Sequence, residues 1–408
     1  MKCRYCGAQL GLTLIDLGSA PPSNAYLTEA GLEKPEPWYP LRVLVCEQCW
    51  LVQTKDFAEA HELFGGDYAY FSSYSSSWVQ HARRYVEAMS ARFSLGPTST
   101  IVEVASNDGY LLQYAKSRGI PCLGIEPTAR TAAAARAKGI EVLEDFFGES
   151  LGIRLATEGR SADLMTANNV LAHVPNINDF LRGFTALLKP TGVATFEFPH
   201  LLRLLDGLQF DTIYHEHFSY LSMLAVDRIM RSAGLVPFAV EELLTHGGSL
   251  RVFAQRADTG RYAADGSIAA LMARERATHL DTAARYAGFQ AKAERIRDDL
   301  LIHLIEAKRA GRTVAAYGAA AKGNTLLNFA GVRPDLVRFV VDRNPVKQGK
   351  FMPGSRIPIV PPTVLQELPP ETLLVLPWNI LPEVRADHSL HVKRGMRFLT
   401  AVPELRLY

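Results

Sequence analysis

Two short cysteine pairs at the start of the chain, Cys3-Arg-Tyr-Cys6 and Cys46-Glu-Gln-Cys49, constrain its N-terminal segment more than any other feature. A Cys-x-x-Cys turn aims two thiolates at one ion, and two such turns complete a tetrahedral Cys₄ shell. The competing reading is a pair of disulfides or a redox dithiol, which requires an oxidising compartment or a thioredoxin-like pattern. Neither is indicated, because Met1-Lys2-Cys3-Arg4 passes straight into polar residues without a basic-then-apolar leader, and the expected location is the cytoplasm. An ion held by Cys3, Cys6, Cys46 and Cys49 has no open coordination position. The expectation is therefore a structural Zn²⁺ that holds a small lobe together and performs no chemistry. The remaining cysteine, Cys122, lies in the apolar run Pro121-Cys-Leu-Gly-Ile125 and reads as a small core residue.

At 408 residues the chain is too long for one ordinary domain. The pattern divides it into a zinc-binding lobe over 1–75, a cofactor-binding unit over 76–260 and a second α/β unit over 261–408. Its 44 basic and 42 acidic residues are spread evenly, which argues against a nucleic-acid partner. No apolar run reaches the roughly 18 residues of a membrane helix, so a membrane is not an expected partner either. A monomer or weak oligomer is expected.

A helical pattern over 77–93 is followed by strands alternating with helices: strands at 100–105, 122–125, 141–143, 163–166 and 193–198. That alternation predicts a doubly wound, Rossmann-like parallel sheet with its ligand at the carboxyl ends of the strands. Glu103 lies within the first strand, the turn Ala105-Ser-Asn107-Asp108-Gly109 follows it, and Glu126 ends the second strand. Glu126 is placed to hold a ribose hydroxyl pair. A dinucleotide would call for Gly-x-Gly-x-x-Gly, whereas this turn carries a single glycine and an acid. It suits the methionyl part of S-adenosylmethionine better than a diphosphate. Asp145 and Phe146 after the third strand would face adenine, and Asn168 ends the fourth. Each residue alone reads equally well as a solvated loop carboxylate or core aromatic; the ordered set carries the reading.

The densest group of titratable residues is Asp211-Thr-Ile-Tyr214-His215-Glu216-His217-Phe-Ser-Tyr220. It lacks His-Glu-x-x-His spacing, which argues against a catalytic metal. In an extended segment Tyr214 and Glu216 would face one side, and His215 and His217 the other. Methyl transfer to carbon requires a carbanion equivalent, which a neutral histidine can generate beside a ketone if donors stabilise the enolate oxygen. His217 is the candidate base, with Tyr214 and His173 as donors or orienters. Tyr68 and Tyr70 would cap the site from the zinc lobe, or pack the domain joint. Beyond them, 268–310 reads as helical, and strands at 313–317, 337–341 and 373–379 form another α/β unit. Lys322, at a helix start after Gly318, is a candidate anion site. The turn lacks the Lys-Ser/Thr of a P-loop, which disfavours ATP hydrolysis.

Together these motifs resemble the three-part sugar C-methyltransferases of deoxysugar and antibiotic pathways, which methylate C-3 or another ring carbon of dTDP-linked 4-keto sugars. The resemblance spans nearly the whole chain. It runs from the cysteine pairs through Glu103-Val-Ala-Ser-Asn-Asp-Gly109, Asn169-Val-Leu-Ala-His173, Tyr214-His-Glu-His-Phe-Ser-Tyr220 and His246-Gly-Gly-Ser-Leu-Arg251. It continues through Tyr317-Gly-Ala-Ala-Ala-Lys-Gly-Asn324, Asp342-Arg343-Asn-Pro345 and Pro353-Gly354. It implies a central class I methyltransferase sheet, an active site lined by Tyr214, Glu216, His217 and His173, and His217 as base. It also implies a C-terminal domain that helps bind the nucleotide sugar, with Lys322, Asn324, Asp342 and Arg343 as candidates; dTDP is favoured and GDP is the alternative. One departure is Ala105, where the family usually has glycine. Two readings compete: an NAD(P)-dependent oxidoreductase or epimerase of nucleotide sugars, and a nucleotide-sugar-binding protein without catalysis.

Overall fold

The computed structural model describes residues 1–57, 71–393 and 395–408, and every count and absence below refers to those residues. Strands β1 (Leu12–Ala20), β2 (Tyr39–Val45) and β3 (Val52–Thr54) form an antiparallel meander that buries Leu14, Ile15, Leu41 and Val43. The cysteine turns flank this meander. A fourth strand, β9 (Ser219–Tyr220), arrives from far along the chain and pairs Tyr220 with Val52 and Ser219 with Gln53. The lobe over 1–75 is therefore completed by residues outside it.

The central sheet contains β4 (Ile101–Val104), β5 (Cys122–Ile125), β6 (Glu141–Leu143), β7 (Ala162–Asn168), β8 (Leu188–Pro199), β10 (Leu235–Leu243) and β11 (Ser249–Arg256). Its order is β6-β5-β4-β7-β8-β11-β10, parallel as far as β8, with β11 antiparallel to both β8 and β10. The order reverses between β4 and β7, so loops diverge there and leave a crevice. Continuous burial of β4 is what a strand covered on both faces requires. The preceding helix, Ser76–Arg92, starts on the Ser75 hydroxyl, which accepts from Trp78 N, and buries Trp78, Ala82, Tyr85, Val86 and Met89 at helical spacing.

The C-terminal sheet orders β14 (Ile359–Val360), β13 (Val340–Val341), β12 (Val314–Tyr317), β15 (Thr372–Val375), β16 (Arg397–Thr400) and β17 (Arg406–Leu407), parallel except for β17. The expected helix over 268–310 is two helices, Ser267–Ala277 and Phe289–Arg309. Gly288, at φ 77°, redirects the chain immediately before the second. One core runs through β1–β3, the segment 201–224 and the C-terminal sheet; another packs Cys3, Cys46, Cys49 and Leu51 against the central sheet. No described helix is long and apolar enough to cross a membrane.

The turn after β4 is built on left-handed residues: Ala105 (φ 54°), Asn107 (φ 50°) and Gly109 (φ 75°). A side chain at Gly109 would run into Ile140 Cδ1 and lie 3.2 Å from Ala135 Cβ. Gly109→Ala is thus expected to lower unfolding free energy by about 1–3 kcal/mol, measured by denaturant titration. An unchanged midpoint would show that the turn is not held in this form.

Candidate active site

The four N-terminal thiols converge. Their Sγ atoms all lie within 4.8 Å of one another, and the Cys3–Cys49 and Cys6–Cys46 separations are both 3.6 Å. Those separations are too long for disulfides and close to the roughly 3.8 Å tetrahedron edge implied by Zn–S bonds of about 2.3 Å. The Cys49 thiol beside Cys3 lowers the Cys3 pKa, while desolvation raises that of Cys6 and the hydrogen bond to Cys3 raises that of Cys49. Hydrogen bonds lead inward from this cluster. Gln53 Nε2 donates to Cys3 Sγ at 3.2 Å, Arg4 N donates to Gln53 Oε1 at 2.9 Å, and Thr54 Oγ1 donates to the His217 carbonyl at 2.5 Å.

At the carboxyl ends of the central strands, Glu126 is buried and accepts from Asn107 N at 2.9 Å and Thr128 N at 3.0 Å. One carboxylate thus joins the first two cofactor-side loops. Glu103 is buried beneath them, and desolvation pushes its pKa well up. Asp108 Oδ1 and Asn169 Oδ1 are buried with no hydrogen-bond partner, as befits groups lining a ligand cleft. Lys138 holds the Asp108 carbonyl at 2.6 Å. Asn168 is buried at the end of β7 and accepts from Thr166 Oγ1 at 3.2 Å. Asp145 and Phe146 stand exposed after β6, with Asp145 3.7 Å from Arg154.

The segment 213–218 is not extended. A turn at His215–Glu216, closed by His217 N donating to Tyr214 O at 2.9 Å, brings Tyr214 and His217 onto the same side with ring centroids 3.9 Å apart. The expected alternation fails because the turn inserts a reversal between them. His173 approaches the other edge of His217, centroid to centroid 4.6 Å. His217 Nδ1 is 2.8 Å from the Thr212 carbonyl; since a carbonyl only accepts, Nδ1 bears the hydrogen and Nε2 keeps its lone pair. Burial holds the His217 pKa well below the usual imidazole range, and burial lowers that of His173 to about 4, so both rings are neutral. Glu216 is buried, accepts from Asn24 Nδ2 at 3.1 Å, and has its pKa raised by desolvation. His215 points elsewhere, 3.2 Å from the Tyr39 carbonyl. Tyr68 and Tyr70 lie outside the described residues.

The C-terminal domain packs against the loop that bears His217. Lys322, near the start of helix Ala321–Phe329, places Nζ 2.8 Å from Asn379 Oδ1 and 4.7 Å from the Trp378 ring centre. Asn324 donates to the Ser23 carbonyl at 2.6 Å and Thr325 to the Ile213 carbonyl at 2.7 Å, tying the helix to both other domains. Asp342 accepts from Ala319 N and Asn344 N, each at 2.7 Å, so its carboxylate joins its own loop to the one after β12. Arg343 is exposed and pairs with Asp387. At the reversal point of this sheet, between β12 and β15, a Cβ on Gly318 would sit 2.6 Å from Pro377 Cδ. Pro377 therefore occupies the ground a dinucleotide pyrophosphate would need.

Sequence reasoning assigned no role to a second buried network. Glu197 accepts from Arg251 and His81, each at 2.9 Å, and from Thr245 Oγ1 at 3.1 Å. Burial alone would raise the Glu197 pKa, but His81 and Arg251 outweigh it and hold the carboxyl below its usual range. Trp78 stacks on His81 at 4.8 Å and meets His246 at 5.1 Å, while Thr245 anchors the turn that holds His246 at φ 53°. The available signal was a lone acid in the apolar run of β8, since a buried charge requires partners.

Family models match residues 3–64 ("Putative zinc binding domain"), 78–240 ("Methyltransferase domain") and 244–403 ("C-methyltransferase C-terminal domain"). The C-methyltransferase NovU of Streptomyces niveus is 34% identical over 406 residues, covering 100% of this chain and 96% of that protein. Among solved structures, an S-adenosylmethionine-dependent methyltransferase from Mesorhizobium loti is 16% identical, covers 44% of this chain and 100% of its own, and has a TM-score of 0.35. Magnesium protoporphyrin IX methyltransferase from Synechocystis, with bound SAH, is 15% identical over 44% of this chain and 83% of its own, with a TM-score of 0.34.

The thiol geometry predicts one zinc per chain, measured by elemental analysis of the purified protein. Cys46→Ser should lose that metal and several kcal/mol of stability, on the order of 3–5 kcal/mol; full stability without metal would overturn the assignment.

Proposed function

This chain belongs to the family of three-domain, S-adenosylmethionine-dependent C-methyltransferases, and from that premise we propose that it methylates a ring carbon of a nucleotide-linked 4-keto deoxysugar. C-3 is the proposed carbon and dTDP the favoured carrier, with GDP the alternative, in a cytoplasmic protein stabilised by a zinc ion. The observation that carries the reading is the state of His217: a neutral imidazole, pinned through Nδ1 to Thr212 O, with Nε2 left to take a proton.

In the proposed reaction His217 Nε2 removes the proton beside the ketone. The C–H pair becomes the new carbon–carbon π bond, and the carbonyl π pair moves onto oxygen. Tyr214, packed on one side of His217, would donate to that oxygen, and His173, packed on the other, would orient the ring. Bound S-adenosylmethionine would supply an electrophilic methyl whose C–S pair stays with sulfur as the enolate carbon attacks and the ketone reforms. His217 then releases its proton to water. Glu216 holds Asn24 and so brings the N-terminal lobe over the site, while Glu126 holds the cofactor loops and the ribose.

Glu126→Ala is expected to weaken S-adenosylmethionine binding by about 1.5–3 kcal/mol, read by calorimetry, since both loops lose their shared acceptor. Unchanged affinity would place the nucleoside elsewhere. His217→Asn should leave both ligands bound and slow turnover roughly 10²–10⁴-fold. The same variant should stop solvent-deuterium entry at the sugar α-carbon when S-adenosylhomocysteine replaces the methyl donor. Full exchange with failed methylation would move the base to another residue.

A further inference from the structure

Lys322 Nζ donates to Asn379 Oδ1 at 2.8 Å and is linked through the Trp378 ring to a buried carboxylate, an arrangement suited to a charge that appears only during reaction. Lys322 Nζ packs 4.7 Å from the centre of the Trp378 ring, and Trp378 Nε1 donates to Asp211 Oδ2 at 2.8 Å. Asp211 is fully buried and its Oδ1 has no hydrogen-bond partner among the described residues. Asp211 directly precedes Thr212, whose carbonyl fixes the tautomer of His217. Thr325, one turn beyond Lys322, is bonded to the Ile213 carbonyl, so the helix bearing the lysine is locked to the loop bearing the base. On the opposite wall His246 is held at φ 53°, and its buried Nε2 has no hydrogen-bond partner. Lys322 depresses the proton affinity of both His217 and His246, which puts its charge within electrostatic reach of each. Burial lowers the Lys322 pKa while the negative charge of Asp211 opposes the fall.

A nucleotide diphosphate carries permanent negative charge, and a carboxylate beside its anchor would repel it. A ketone oxygen is neutral when bound and negative in the enolate. A lysine tied through Trp378 to a buried carboxylate therefore discriminates in favour of the transition state. We propose that Lys322 is a catalytic residue of this reaction: its ammonium faces the sugar carbonyl oxygen and stabilises the charge formed when His217 takes the α-proton, with Asp211 as its positioning residue. Here the C–H pair enters the C=C bond, the carbonyl pair moves to the oxygen facing Lys322, the proton resides on His217 Nε2, and the lysine stays protonated throughout. The assignment rests on the enolate reading of the function.

The test compares wild type, Lys322→Met, Lys322→Arg and Asp211→Asn on a dTDP-linked 4-keto-6-deoxy sugar. It measures saturated turnover, KM for the sugar, and α-carbon deuterium exchange with S-adenosylhomocysteine bound; calorimetric S-adenosylmethionine binding certifies each fold. Lys322→Met is expected to lose roughly 10²–10³-fold in turnover and in exchange together, with KM changed by less than about threefold. Lys322→Arg should recover at least about tenfold over Lys322→Met, and Asp211→Asn should lose about tenfold in exchange. A Lys322→Met protein that keeps saturated turnover and exchange while KM rises tenfold or more would overturn the proposal and make the lysine a diphosphate anchor. Wild type that methylates carbon without exchanging the α-proton would overturn the enolate reading, and this assignment with it.

Discussion

The pairing of β3 with β9, two residues against two, is the contact on which the rest of the molecule depends. On one side of it lie the cysteine turns, reached through Gln53 and Cys3; on the other lies His217, whose carbonyl accepts from Thr54. A two-residue ladder has little stability of its own. It persists because Val52, Tyr220 and the apolar residues of β1 and β2 share a core with the C-terminal sheet. His217 is thus positioned by a long-range sheet contact and a carbonyl rather than by the central sheet alone, and the three lobes are set around it.

The buried acids form two groups with different physical roles. Glu126 and Asp342 have each of their oxygens engaged by backbone N–H groups and act as staples between loops. Asp211 and Glu216 each leave one oxygen without a partner, and desolvation raises both pKa values, that of Asp211 to about 6. A carboxylate spent on amides fixes geometry. One left partly unsatisfied stores electrostatic potential that a ligand or a neighbouring cation can use, which is why such groups gather where domains meet.

Local patterns were legible wherever local physics decides. Cys122–Ile125 and Glu141–Leu143 are strands with the bounds that their apolar runs and flanking turns predict, and the helix at Ser76–Arg92 follows from Ser75 and its apolar stripe. The cysteine cluster was legible because metal-ligand spacing is itself a local property. The reversal at His215–Glu216 was not, because neither residue is a turn former and the bend is fixed by Asn24 and Tyr39 far away in sequence. The Glu197 network was hidden for the same reason: its partners come from a helix before the central sheet and a strand at its far side. The domain boundaries at 75 and 260 follow the strand pattern, yet the packed cores cross them.

That crossing has a consequence for how the molecule comes into being. Strand β1 is covered by the helices Phe289–Arg309 and Ala321–Phe329, and the loop holding His217 is tied down by Thr325. During synthesis, β1 must wait with its apolar face uncovered until those helices have emerged, and such long-range closure is slow. The central sheet can form earlier, from contacts within its own stretch. A growing or prematurely ended chain would therefore own a folded central sheet well before it owned an aligned His217. On the proposed mechanism, binding competence precedes reactive competence, and the methyl donor meets no armed site until the C-terminal sheet has closed over the loop.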